Sequence, residues 1–137
     1  MDINQALYNY LISVGWISRQ VGNRIYPLVL PQDCKLPAIT YTPVLANYDE
    51  ALLGDTSYVH QVIQIVVHAK TWTDARKISR LVKKKLQNLH GQMSDVFIEA
   101  VFIRSDYELT SNTTSKFNVD EYMSSIEFEF HFNEGGN

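Results

Sequence analysis

Residues 121–132 read EYMSSIEFEFHF. Tyr122, Ser124, Ile126, Phe128, Phe130 and Phe132 fall on one parity; Glu121, Met123, Ser125, Glu127, Glu129 and His131 fall on the other. Side chains of an extended chain point to alternate faces, so this stretch is a strand with one apolar and one polar face. A wide apolar face needs a second layer over it, and the chain supplies two amphipathic helices.

The first helix begins the chain. Ile3, Ala6, Leu7, Tyr10, Leu11 and Val14 form one stripe at helical spacing. Asp2 can cap it, with Gln5 at the capping-box position. Gly15 is a natural stop, and Trp16, Ile17 and Val21 predict a short extra turn. A second helix is predicted over 73–89 with Thr73 as N-cap. Ala75, Ile78, Leu81, Val82, Leu86 and Leu89 share one arc, and Arg76, Lys77, Arg80, Lys83 and Lys84 share the opposite side. Lys85 is the misfit, projecting within the apolar arc.

Residues 57–69, SYVHQVIQIVVHA, carry apolar residues on both parities, which predicts a central strand. Ala38–Val44 reads as another, with Pro43 confining its far end to an edge or a bulge. A further strand covers 96–103, and a short one is possible at 24–26. Tyr48–Asp55 reads as ending in a turn, and 104–120 as a long hairpin loop. The order α-β-β-α-β-β predicts an α+β two-layer fold: a mostly antiparallel sheet of four to five strands, with two main helices packed on the face of Ile126–Phe132. Residues 1–134 read as one domain and 135–137 as a tail.

Composition is that of an ordinary globular protein: 137 residues, 45% hydrophobic and 20% charged. No apolar run approaches the roughly 18–20 residues that span a bilayer, so no membrane role is expected. The N-terminus lacks the basic and apolar regions of a signal peptide. With one cysteine, Cys34, the expected setting is a reducing cytoplasm. Net charge is −3 but unevenly spread. Residues 70–85 hold seven bases against one acid, and 95–134 hold nine acids against two bases. One surface should be positive and another negative.

The search for chemistry finds no enzyme signature. His60 and His68 share a strand face but lie about 26 Å apart along it. No HxH, HExxH or Cys/His cluster is present. The four histidines are therefore read as independent, and no metal or other cofactor is expected. Glu127 and Glu129 at i, i+2 suit a solvated or partner-facing strand better than a glycosidase cleft. Cys34 has only Lys35 beside it to activate a thiolate. No phosphate-binding glycine loop occurs. The basic helix face is open to three readings: a solvated surface, a protein contact, or phosphate binding without the aromatic interleaving of a nucleic-acid platform. If the basic helix and the acidic strand are both exposed, copies could dock head-to-tail and close into a ring. Arg76, Arg80, Lys83 and Lys84 would then face Glu121, Glu127 and Glu129 of a neighbouring copy. The polar stretch 104–120 supplies candidate partner-binding residues Asp106, Tyr107, Glu108, Lys116 and Phe117.

The segments VGNRIYPLVLPQ (21–32) and LPAITYTPV (36–44), after an N-terminal MDINQALYNYL helix, resemble a family of small bacteriophage tail-completion proteins. The pattern continues through VIQIVVHAKTWTDARKISRLVKKKLQ (62–87) and YMSSIEFEFHF (122–132). No family motif aligns at 46–57 or 104–120. The resemblance implies a tail terminator, or tail-to-head joining protein, of long-tailed phages. Such a protein forms a hexameric ring on the finished tail tube, stops its polymerisation, and presents a surface to the head connector. It implies no catalytic residues. The implied partners are other copies of the chain, the tail-tube protein and a head-completion protein. Phage DNA would pass through the lumen without specific binding. Assembly would occur in the host bacterial cytoplasm, and the mature protein would sit in the virion tail or neck. A head-side connector adaptor is the alternative, and an enzyme or small-ligand protein from outside the phage world is the more distant rival.

Pro27 and Pro31 bracket Leu28, Val29 and Leu30. Two fixed φ angles and two missing donors predict a stiff extended crossover. Three consecutive apolar residues cannot all point inward from such a segment. At least one should be exposed in the monomer or covered by a neighbouring copy.

Overall fold

The computed structural model describes residues 2–48, 58–111 and 121–133. Helices α1 (Ile3–Ser13) and α2 (Gly15–Val21) are followed by strands β1 (Ile25–Pro27), β2 (Ala38–Tyr48) and β3 (Tyr58–Ala69). Helix α3 (Trp72–Leu86) leads to β4 (Gly91–Met93), β5 (Val96–Ser111) and β6 (Glu121–Asn133). The strands form one sheet in the order β1-β2-β3-β6-β5-β4. Every pair is antiparallel except β1 with β2.

The fold is α+β, as expected, but richer than the sequence predicts. The sheet has six strands instead of four to five, and the turn after Val14 is a seven-residue helix. The element order is thus α-α-β-β-β-α-β-β-β. β1 corresponds to the short strand expected at 24–26, moved by one residue, and β4, three residues long, is too short to show a period. The larger correction concerns residues 104–111. They continue β5 and pair with β6 as far as Ser111↔Glu121, so the first half of the expected loop is strand. Polar composition there reflects exposure, because alternate residues of a half-covered strand need not be apolar. The expected turn beyond Tyr48, the residues Lys116 and Phe117, and the tail 135–137 lie outside the described residues.

The apolar parity of β6 is buried, from Ser124 through Ile126, Phe128 and Phe130 to Phe132. Its register partners Val59, Ile63, Ile65 and Val67 on β3 share that face. Ile3, Leu7 and Leu11 of α1, Ile17 and Val21 of α2, and Ile78, Val82 and Leu86 of α3 complete one continuous core. Each helix presents one stripe to the sheet, which leaves the other face of the sheet without a helical layer among the described residues.

Local signals explain the helix ends. Asp2 accepts a 2.9 Å hydrogen bond from the Gln5 amide, and Thr71 accepts one of 3.1 Å from the Asp74 amide. The second cap lies two residues before the expected Thr73, and α3 ends at Leu86 instead of 89. Pro43 stands at a bulge: the β2–β3 register shifts between Pro43 and Leu45. Lys85 is accommodated by reaching out over the Trp16 ring, 5.0 Å from its centroid, while its stem stays half-buried.

Candidate assembly surface

Leu28 and Val29 stand out from the molecule, 61% and 72% exposed. Leu30 is half-buried. The segment is not uniformly extended as expected: Leu28 takes φ 68°, in the left-handed region. Its amide donates a 3.0 Å hydrogen bond to the Tyr41 carbonyl, and the Val29 amide donates to the Pro27 carbonyl. The left-handed turn at Leu28 ends β1 at Pro27, and both apolar side chains stand outward.

The two sheet edges are only partly covered. β1 pairs with Ile39–Tyr41, and β4 pairs with Val96–Ile98. Beyond those residues the outer edges of β2 and β5 have no strand partner among the described residues. Unpaired edges are templates for strand addition.

The basic face of α3 and the acids expected to meet it on another copy have partners closer to hand. Arg76 donates to Glu108 at 3.0 Å and Lys83 donates to Asp106 at 3.0 Å, both across to β5 of the same chain. Trp72 donates its indole N–H to the other Glu108 oxygen at 2.9 Å, and the Arg76 guanidinium lies 4.8 Å from the Trp72 centroid. Asp106 and Glu108 are therefore strand residues that clamp the helix, not residues of a binding loop. Tyr107, on the opposite parity, accepts a 3.2 Å hydrogen bond from Gln64 on the uncovered sheet face. Arg80 is exposed and lines the α3–β5 cleft with Arg76 and Lys83, while Lys84 reaches over Trp16 at 5.1 Å.

The uncovered sheet face is not a bare row of acids. Glu121 accepts from His68 Nδ1 at 2.5 Å, and His68 Nε2 lies 2.9 Å from the Thr40 hydroxyl. The Thr–His–Glu line has the connectivity of a hydrolase triad. Thr40 is only 4% exposed, however, and the line acts as a cross-strand stitch between β2, β3 and β6. Glu129 accepts from His131 Nε2 at 2.6 Å and from Arg104. Burial raises the affinity of the Glu129 carboxyl for its proton, but the donations from His131 and Arg104 outweigh it and hold the pKa below the ordinary carboxylate value. Glu127 is half-buried between the register partners Gln64 and Ser105. Around these groups Leu45, Phe97, Phe102, Tyr107 and Leu109 are each more than 40% exposed. Exposed apolar side chains thus sit among the polar groups of this face.

The basic helix face and the strand face bearing Glu121, Glu127 and Glu129 thus lie on opposite layers of the molecule. Much of the charge on each is already matched inside the chain, so exposed apolar groups are the stronger feature. The histidines are not independent either. His60 and His131 are register partners on β3 and β6, and their rings stack at 3.8 Å with 12° between planes. Strand spacing alone separates His60 from His68; only strand pairing brings His131, 71 positions later in the chain, to His60.

No protein-family model matches the chain, and no curated protein matches it in sequence. Among solved structures, the chain is similar in fold to a chain from the virion of a native gene transfer agent particle. The TM-score is 0.73 at 14% identity, over 96% of this chain and 94% of the other. The two share a fold across essentially their whole lengths. No helix among the described residues is long and apolar enough to cross a membrane.

Proposed function

We propose that this chain is a structural, non-catalytic subunit of a phage-like virion, and within it a tail terminator. In this reading it caps the finished tail tube as a ring, hexameric by resemblance to the tail-completion family. The ring stops tube polymerisation and forms the joint to the head connector. The observation that carries the reading is the end-to-end fold match to a chain of a virion particle. It agrees with the sequence resemblance centred on RIYPLVLPQ and LPAITY. The exposed Leu28 and Val29, the half-open edges of β2 and β5, and the apolar groups on the uncovered sheet face offer the separate surfaces a ring subunit needs.

Electron microscopy of particles assembled without this protein tests the role. Tails of abnormal length, or tails detached from heads, are expected; particles of normal yield and tail length would refute it. Pull-down against tail-tube protein and against portal-side protein separates a terminator from a head-side adaptor. Retention by tube protein is expected, and retention by portal-side protein alone would assign the adaptor role.

A further inference from the structure

We infer that His60, Glu129 and His131 form a binding site for a divalent first-row transition-metal ion, zinc foremost. All three project from the uncovered face of the sheet. His60 and His131 face each other across the β3–β6 pair, and Glu129 lies two residues before His131 on the same face. One ligand atom from each residue lies within 4.8 Å of the others. Two imidazoles and a carboxylate are a donor set that zinc uses when it keeps a coordination position open. Imidazole nitrogen also favours zinc and its neighbours over magnesium or calcium.

The surroundings are prepared for a cation. Glu129 is only 12% exposed, and its two oxygens have different partners. One oxygen receives Arg104, which fixes the carboxylate plane as an outer partner commonly does for a metal ligand. The other lies 2.6 Å from His131 Nε2. A bound ion would replace that hydrogen bond and bond both atoms. Zinc bonds of about 2.0–2.2 Å put tetrahedral ligands about 3.3 Å apart. The widest separation here must close by about 1.5 Å, and the stacked rings must tilt apart so that their in-plane lone pairs converge on one ion. Phe102 packs edge-on against the His131 ring at 4.9 Å.

The test is a titration of the metal-free full chain with Co2+, then Zn2+. One Co2+ per chain is expected, with the visible absorption of a low-coordinate site, displaced by one equivalent of Zn2+. His60→Ala, His131→Ala and Glu129→Gln should each weaken binding at least tenfold, and His90→Ala should not. Lowering the pH from 7.5 to 5.5 should weaken wild-type binding at least tenfold, since protons compete with the metal for imidazole nitrogen. Ring-proton NMR of the unaltered chain answers the question without any variant. Zinc should shift His60 and His131 and leave His68 and His90 in place. Equal binding by His60→Ala, or zinc shifts at His68 or His90 in place of His60 and His131, would overturn the assignment.

Discussion

Ser124 on β6 donates a 2.9 Å hydrogen bond to Ser79 on α3, and both residues are buried. This is where the basic helix meets the sheet. Two small side chains let the elements approach, and each hydroxyl satisfies the other. Removing one leaves the other without its partner, which costs about 1–3 kcal/mol. Ser79→Ala and Ser124→Ala should each lower stability in urea by that amount. The double variant should recover most of the loss, because no orphaned hydroxyl remains.

Phe128 and Phe102 show how the two sheet faces differ. Phe128 is fully buried and Phe102 is 52% exposed. Phe128→Ala should cost about 3–5 kcal/mol from lost transfer energy and the cavity left behind. Phe102→Ala should shift folding stability by less than about 1 kcal/mol. Chemical denaturation of both variants measures the contrast.

The cap of α3 separates local pattern from local geometry. Thr71 holds the Asp74 amide, so Thr71→Ala should cost about 1 kcal/mol. Thr73 is exposed within the first turn, and Thr73→Ala should change stability by no more than about 0.5 kcal/mol. Thermal melts of the two variants rank them.

Glu129 makes part of the stability pH-dependent. Its folded pKa lies below its ordinary value. The folded state therefore binds this proton less readily than the unfolded chain does. Its contribution is present above the unfolded pKa and disappears as pH falls through the folded one. Urea midpoints taken from about pH 6 down to about pH 3 should fall more steeply for the wild type than for Glu129→Gln.

Leu28 and Val29 separate folding from assembly. Leu28 sits at φ 68° with its side chain in solvent. Asparagine tolerates that backbone better, so Leu28→Asn should leave the monomer as stable or add up to about 1 kcal/mol. Val29→Asp at an exposed site should change stability by less than about 0.5 kcal/mol. Under the ring proposal, both should lower the oligomer fraction in sedimentation velocity and the yield of completed tails. Unchanged assembly in both would remove this segment from the interface.

Much of the architecture is legible in single stretches. Phe128 and Phe130 announce a strand with one buried face, and Ala75, Ile78 and Val82 announce a helix that covers it. Asp2 announces where the first helix starts. Pro43 announces an interruption, realised as a bulge. These features depend on periodicity and capping within a few residues, so local sequence contains them. β4 is too short for a period, and the polar parity of residues 104–111 hides a strand because exposure, not conformation, sets its composition.

The assembly surface divides in the same way. That Leu28, Val29 and Leu30 could not all point inward follows from two flanking prolines; that Leu28 and Val29 are the exposed pair is decided by the fold. That Arg76 and Lys83 hold acids of their own chain follows from β5 continuing past Arg104, which no local signal showed. The His60–His131 pair depends on a register between strands with residues 70–120 between them in the chain. Register is set by how the whole apolar set of β3 and β6 packs under the helices, and a one-residue slip would place these rings on opposite faces. Periodicity is a property of neighbours along the chain; proximity between distant polar groups is a by-product of core packing, and so belongs to the folded molecule alone.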